Sequence, residues 1–158
     1  MVLNIDYLTK YLSDHEIDAE FVYLEQETLT VKAAAAAVGV HPDNIGKSIL
    51  FLAAGDPVMV ITNGVRRLSY APIARHLDLN RRQVKLANPE EVLKYTGYTV
   101  GTVPPFGHIS ELSTLVSDTV LGVEELYAGG GSEKALLKIK PAELIRITNG
   151  EVAPLHGS

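Results

Sequence analysis

Two short apolar segments that follow one another closely are the strongest constraint on the fold of this chain. Residues 49–52 (ILFL) and 58–62 (VMVIT) have the composition of buried strands, and Gly55-Asp56-Pro57 between them is a turn sequence. Other predicted strands also come in adjacent pairs, with helices placed irregularly among them. This order favours a mixed α+β sheet or barrel and argues against a doubly wound α/β fold.

The helices are predicted from their start and stop signals. Asn88-Pro89-Glu90-Glu91 is a strong helix start, because it places a cap, a proline in the first turn and two acids at the positive end of the helix dipole. That helix ends at Gly97. Thr30 begins a helix that ends at Gly39, and its alanines at 33–37 are predicted to pack closely against a sheet. The other predicted helices cover about 5–15, 69–77 and 141–149, and the other predicted strands cover 19–24, 84–87, 114–116, 124–128 and 136–139.

Length and composition indicate an ordinary globular protein. The 158 residues suffice for one domain with a buried core, so we expect a single domain spanning residues 1–158. The absence of cysteine excludes disulfides, thiolate metal sites and a cysteine nucleophile. The N-terminal residues carry charges throughout, unlike a signal peptide, and the apolar runs are too short to span a bilayer. We therefore expect a cytoplasmic protein without a membrane partner.

The distribution of charge is more informative than its sum. The net charge of −5 argues against a protein that coats nucleic acid with its whole surface. Residues 66–85, however, contain six basic side chains and one acid, Asp78. This basic cluster suits a partner that touches one side only, although a solvated helix face would have the same composition. Its members are Arg66, Arg67, Arg75, Arg81, Arg82 and Lys85.

Standard catalytic signatures are absent from the sequence. It contains no GxSxG, HExxH or P-loop motif, and no GxGxxG after a predicted strand. The histidines are scattered without metal-ligand spacing, and only His108 lies in a segment with other functional signals. The residues therefore predict no metal site.

Three segments have unusual composition. Lys47 stands at the beginning of an apolar strand, where it is either an ordinary strand-end cation or a point charge for a phosphate or an oxyanion. Residues 96–107 (TGYTVGTVPPFG) form a long loop in which prolines fix the backbone and glycines release it, so that backbone N–H groups remain available. Residues 127–132 (YAGGGS) place three glycines after a strand, either for a flexible turn or for a close approach of backbone or ligand.

In this order and spacing the three segments resemble one family. A lysine, a serine and an apolar strand, then TGY-x-x-G-x-x-x-P-x-G, then Y-x-x-GG are similar to the YbaK-like and ProX-like deacylases and to the editing domain of bacterial prolyl-tRNA synthetases. The resemblance covers residues from about 15 to 150. It implies an α+β fold with a mixed, barrel-like β-sheet surrounded by helices. It also implies hydrolysis of the ester that joins a wrong amino acid to the tRNA 3′ end, without a metal or other cofactor.

The resemblance also implies roles for individual residues. Lys47 and Gly101 would be the catalytic residues, with Lys47 stabilising charge and Gly101 presenting backbone amides with Thr102. The basic cluster would meet the tRNA acceptor stem through Arg66, Arg67, Arg81 and Arg82. The substrate-binding residues would be Ser48, Thr102, Pro105, Phe106, Gly129, Gly130 and Gly131.

Departures from the family pattern leave the amino acid open. Cysteinyl-specific members carry a serine where this chain has Gly129, and alanyl-specific members have a histidine near this position that is missing here. The leading hypothesis is a trans-editing deacylase that acts on mischarged tRNA, with an aminoacyl-tRNA synthetase as a second candidate partner. The alternative is an inactive tRNA- or synthetase-binding module of the same fold. A small-nucleotide-binding protein would require a phosphate loop that the sequence does not contain.

Overall fold

A computed structural model describes residues 2–28 and 30–157, which form five α-helices and eight β-strands. The helices are α1 (Ile5–Asp14), α2 (Val31–Val38), α3 (Tyr70–His76), α4 (Pro89–Thr96) and α5 (Pro141–Thr148). The strands are β1 (Ala19–Tyr23), β2 (Gly46–Ala53), β3 (Asp56–Asn63), β4 (Val84–Leu86), β5 (Ser113–Ser117), β6 (Leu126–Ser132), β7 (Ala135–Ile139) and β8 (Glu151–Ala153). Short 3₁₀ segments cover Pro42–Asn44, Arg81–Gln83 and Asp118–Gly122.

The strands form two open sheets. The larger sheet has the order β4-β2-β3-β5-β8, in which β2 is antiparallel to β3 and β4, while β5 is parallel to β3 and β8. The smaller sheet has the order β1-β7-β6 and is antiparallel throughout. A single bridge between Ile45 and Tyr127 connects the two sheets. The predicted α+β class is thus confirmed, and the mixed sheets do not close into a barrel.

Both faces of the larger sheet are buried. One face contributes Leu50 and Ile61 to a core that it shares with Leu126 and Leu137 of the smaller sheet, and with helices α1 and α5. The other face packs Val60 and its neighbours under α3. Burying a side chain of this size contributes about 1.5–3 kcal/mol, so this packing fixes the register of β2 against β3. In that register Lys47 lies opposite Thr62.

The predicted helix signals are confirmed by the caps. The side chain of Asn88 accepts a hydrogen bond from the backbone of Glu91, and that of Glu91 accepts one from Asn88 N, at 2.8 and 2.9 Å. Gly97 ends α4 in the left-handed conformation with φ +84°. Thr30 caps α2 through a 3.0 Å bond from Ala33 N, as its sequence predicts. The left-handed Gly97 sets the direction in which the chain enters the loop after α4.

Several element predictions were wrong in detail. The hairpin between β2 and β3 turns at Ala54 and Gly55, both with positive φ, so that Asp56 and Pro57 already belong to β3. The glycines at 129–131 continue β6 and do not follow it. Strand β8 was not predicted. Of the alanines at 33–37, only Ala34 and Ala35 are buried, because an exposed helix turns its other positions to solvent.

Candidate active site

A cavity of about 440 Å³ brings together four residues that the sequence singled out. These are Lys47 and Ser48 on β2, Gly101 in the loop of residues 98–108, and Gly129 on β6. The rest of its wall comes from Gly46, Ile49, Leu50, Leu86, Ala87, Pro89, Val92, Val100 and Val103. Most of this lining is apolar, and among the residues that the structure describes Lys47 supplies its only charged side chain. We name this space the Lys47 cavity.

The cavity opens beside β2 because β4 is too short to cover that strand. Strand β4 pairs only with residues 51–53 of β2, and the chain then turns away through Ala87, whose N–H donates to Leu50 O at 3.0 Å. Successive residues of a strand point to opposite faces. Consecutive residues 46–50 nevertheless all line the cavity, which places the space along the edge of the strand.

Lys47 is a half-buried cation in this apolar wall. Burial lowers the pKa of its ammonium group below the usual value, because removing the charge from water disfavours it. Among the described residues, it forms neither a hydrogen bond nor an ion pair with another side chain. Its charge is therefore available to a negatively charged group that enters the cavity.

Ser48 is notable for its unpaired hydroxyl. Its Oγ is buried and has no hydrogen-bond partner among residues 2–28 and 30–157. A buried polar atom without a partner costs about 1–3 kcal/mol of stability. A hydroxyl held at this cost beside Lys47 is a further candidate for contact with a substrate.

The loop of residues 98–108 is held in one shape by its own hydrogen bonds. Tyr98 is fully buried at the foot of the loop, and its hydroxyl donates to Gly107 O at 3.1 Å. At the tip, Thr102 N and Thr102 Oγ1 both donate to Thr99 O, at 3.1 and 2.9 Å. Gly131 N of β6 donates to Thr102 O at 2.9 Å. These bonds fasten the loop to β6 along one wall of the cavity.

His108 is uncharged, and its ring holds the same loop together by a hydrogen bond. Its Nε2 lies 2.7 Å from Pro104 O, and because a carbonyl only accepts, this nitrogen carries the proton. Burial lowers the pKa of His108 to about 4, partly offset by the bond to Pro104. His108 lies outside the lining of the Lys47 cavity.

Two glycines of the site serve different geometric needs. Gly101 has φ +91°, and a Cβ there would meet nothing within 4 Å, so the position needs glycine for its backbone conformation and leaves its surroundings open. Gly129, in contrast, needs glycine because its surroundings leave no space for a side chain. A Cβ there would overlap the carbonyl oxygen of Val103 and would lie 2.8 Å from its carbon. The loop therefore packs directly on the backbone of β6, and no side chain fits between them.

The other predicted substrate-binding residues lie outside the Lys47 cavity. Thr102 and Gly131 face a neighbouring groove of about 490 Å³, and Gly130 is buried within β6. Pro105 and Phe106 are buried residues of the loop itself, and Phe106 stacks on Tyr11 of α1 with ring centroids 5.9 Å apart. They attach the loop to α1 and do not face the cavity.

Pro105 and Phe106 also border a larger groove of about 1110 Å³ on the far side of the loop. This groove is lined by the carboxylates of Glu111 and Glu151 and by no lysine or arginine. Such a lining repels an anionic ligand, whereas the Lys47 cavity attracts one. The chemistry of the linings, and not their volume, identifies the Lys47 cavity as the candidate site.

The two pairs of predicted tRNA contacts are exposed, at opposite ends of the β2–β3 hairpin: Arg81 and Arg82 lie near its turn, where Ala54 N donates to Gln83 O, and Arg66 and Arg67 lie near the end that holds Lys47. Arg66 and Arg67 follow the end of β3, where Asn63 pairs with the cavity residue Gly46. Arg81 and Arg82 lie in a 3₁₀ segment that leads directly into β4, and the guanidinium of Arg81 lies 4.9 Å from the ring centroid of Tyr70. Arg81 and Arg82 thus precede a strand that lines the cavity, whereas Arg66 and Arg67 follow β3, which pairs with the cavity strand β2 but does not line the cavity itself.

Sequence reasoning missed the apolar half of the cavity. Leu86, Ala87, Pro89 and Val92 form the wall made by β4 and α4. No local signal could have identified them, since apolar residues in a strand and an amphipathic helix are also typical of a core.

Within residues 2–28 and 30–157, no group of three or more His, Cys, Asp or Glu side chains is arranged to hold a metal ion. No helix in this part of the chain is long and apolar enough to cross a membrane.

Comparison with known proteins adds to this geometry. Residues 25–147 match the family model of the aminoacyl-tRNA editing domain. The chain is 28% identical to a proline–tRNA ligase of Thermotoga sp. (strain RQ2) over 129 residues, which are 81% of this chain and 22% of the ligase. It thus spans about a fifth of the length of that relative. It is 26% identical to the uncharacterized protein YwhH of Bacillus subtilis, with 81% of this chain and 80% of YwhH covered.

A solved structure has nearly the same fold. It is the crystal structure of a proposed trans-editing enzyme for prolyl-tRNA synthetase, with a TM-score of 0.89 and 30% sequence identity. The superposition covers 100% of this chain and 99% of that one.

Proposed function

Because the chain belongs to the aminoacyl-tRNA editing domain family, we propose that it is a deacylase that hydrolyses the ester of a mischarged tRNA in trans. The observation that carries the proposal is the pairing of an available cation, Lys47, with the amide-bearing loop around Gly101 across one apolar cavity. We place the protein in the cytoplasm with charged tRNA, and a synthetase of the prolyl type is a further candidate partner.

The reaction needs little acid–base catalysis, because an aminoacyl ester is already activated. A water molecule adds to the ester carbonyl, the bond from that carbon to the ribose oxygen breaks, and the proton of the water passes to the ribose oxygen. Negative charge develops on the carbonyl oxygen in between. The backbone N–H of Gly101 would stabilise this charge, since that of Thr102 already donates to Thr99 O, and a single such donor is worth about 10²–10³ in rate.

Lys47 would position the 3′ end of the tRNA. In an apolar cavity, its ammonium attracts the terminal phosphate or the developing oxyanion more strongly than a solvated lysine does, because the local dielectric is low. Holding the ester beside the loop converts the attack of water into a nearly intramolecular step. This division of labour requires neither a catalytic triad nor a cysteine.

The test is a deacylation screen over mischarged tRNAs, with correctly charged tRNAs as controls. We expect Lys47→Ala to abolish deacylation and to change the melting temperature by only a few degrees, because an unpaired lysine contributes little to folding. Lys32→Ala, on the exposed face of α2, is the matched control and should keep full activity. Equal rates for Lys47→Ala and the wild type would refute the mechanism.

The contacts of the basic cluster are tested by their salt dependence. If Arg81 and Arg82 bind phosphates, log K for tRNA falls with log salt by about 0.7–0.9 per contact. The Arg81→Ala/Arg82→Ala variant should then have a flatter slope and a higher KM for mischarged tRNA, while hydrolysis of a small aminoacyl ester changes far less. Lys140→Ala, an exposed cation outside the cluster, is the control. A parental slope and KM in the double variant would mean that tRNA binds elsewhere.

The alternative of an inactive module makes a different prediction in the same assays. Such a protein would bind tRNA with the salt dependence described above, but it would hydrolyse none of the charged tRNAs. The departure at Gly129 from the serine of some relatives is the feature that keeps this alternative open.

A further inference from the structure

The chain after residue 147, where the family match ends, folds back against β3 and the loop that follows it. Leu155 is fully buried against the larger sheet, and its carbonyl accepts a hydrogen bond from Ser69 N at 3.3 Å. The next residue, His156, makes two short contacts through its ring. Its Nε2 lies 2.7 Å from Thr62 Oγ1, and its Nδ1 lies 2.7 Å from Arg67 O.

The two contacts fix the roles of the ring nitrogens. A carbonyl oxygen only accepts, so Nδ1 of His156 donates its proton to Arg67 O. In the neutral ring Nε2 is then an acceptor, and the buried hydroxyl of Thr62 donates to it. The imidazole is thus a two-ended bridge between β3 and the loop that follows it.

One end of this bridge lies on the strand next to Lys47, and the other end lies in the predicted tRNA-binding loop. Thr62 is the cross-strand neighbour of Lys47. Arg67 and the adjacent Arg66 are exposed in the loop after β3. The bridge holds the backbone of Arg67 and leaves its guanidinium free to reach a ligand.

We propose that His156 is a positioning residue for tRNA binding, which holds the Arg66–Arg67 loop at a fixed place relative to Lys47. The inference rests on the proposed function, since it takes Arg66 and Arg67 to contact phosphates of the substrate. An exposed loop that loses this bridge samples more conformations, and ordering it again opposes binding. His156 acts through the arginines and touches no reacting atom.

The experiment measures the affinity of His156→Ala for uncharged tRNA by fluorescence anisotropy. Because the loop that carries the arginines would then have to be ordered at each binding event, binding should weaken by roughly three- to tenfold. For mischarged tRNA, KM should rise by a similar factor and kcat should change less. His156→Gln, which retains a donor and an acceptor, should restore part of the affinity. Thr62→Val removes the bond between Thr62 and His156 from its other end, and it should weaken binding comparably. It replaces His156→Ala in the experiment if that variant proves unstable.

The decisive measurement is the tRNA affinity of His156→Ala combined with Arg66→Ala/Arg67→Ala. If His156 acts by positioning these arginines, its loss should have no further effect on tRNA affinity once they are removed. The same loss of affinity in both backgrounds, or unchanged affinity in the single variant, would overturn the inference. So would a wild-type protein that does not bind tRNA. Normal binding without deacylation would contradict the proposed function and leave this role of His156 supported.

Discussion

A methyl group at position 129 would collide with the backbone of the loop that lines the Lys47 cavity. In Gly129→Ala the new Cβ would overlap Val103 O and lie 2.8 Å from Val103 C, against at least 3.4 Å for ordinary contact. The partner atoms belong to the backbone, so no side chain can rotate away. The loop must retreat by more than about half an ångström, which strains or breaks the 2.9 Å bond from Gly131 N to Thr102 O.

The expected cost combines these two effects. Overpacking of this kind costs about 1–3 kcal/mol, and the lost hydrogen bond costs about 0.5–1.5 kcal/mol. A total of about 1.5–4.5 kcal/mol corresponds to a decrease in melting temperature of roughly 3–18 °C for a chain of this length. Deacylation should fall as well, because the loop carries Gly101 with it.

The control for this variant is Gly122→Ala, measured by the same thermal unfolding assay. A Cβ at Gly122 would meet nothing within 4 Å, and its φ lies outside the left-handed region, so its stability should change by less than about 0.5 kcal/mol. Equal melting temperatures for the two variants would refute the tight packing of the loop on β6.

Two further predictions concern pH. Since burial lowers the pKa of His108 from 6.5 to about 4, the unfolded chain takes up a proton before the folded one, and stability should fall as pH decreases from 6.5 to 4. His108→Gln should lose less stability than the wild type over that range, and parallel melting curves would contradict this. Hydrogen bonds from Arg146 and from Asp18 N lower the pKa of Glu143 from 4.5 to about 2, so its contribution is present above pH 4.5 and disappears towards pH 2. The melting-temperature gap between wild type and Glu143→Gln should therefore be largest near pH 6 and shrink as the buffer is acidified, and a constant gap would exclude this role.

The parts of the fold that the sequence predicted well have strong local signals. The capping box at Asn88 and Glu91 and the stop at Gly97 are determined by bonds between close neighbours. The errors arose where tertiary contacts decide. Ala54 adopts a left-handed turn with no sequence signal for it, and in β8 only Ala153 is buried, so this strand has no apolar pattern and depends on pairing with β5.

The candidate site was predictable to a similar degree. Lys47 and Gly101 stand in segments of unusual composition, and the structure brings them to one cavity. The glycines near 130 were identified as special, but their placement inside β6 depends on the approach of Val103, which is distant in sequence. His156 could not have been found, because a lone histidine near the end of a sequence has no pattern around it.

Because of the hydrogen bonds within residues 98–108, this loop loses its conformational freedom during folding and not on binding a ligand. A loop that became ordered only around its ligand would lose about 1–2 kcal/mol of backbone entropy per residue at every binding event. Here the order is established during folding, through Tyr98, Thr102 and His108. The cavity is consequently pre-shaped, and on the side of this loop it can widen for a bulkier ligand only by breaking bonds that stabilise the native state. For the proposed deacylase, discrimination by acyl size and resistance to heat would therefore be coupled.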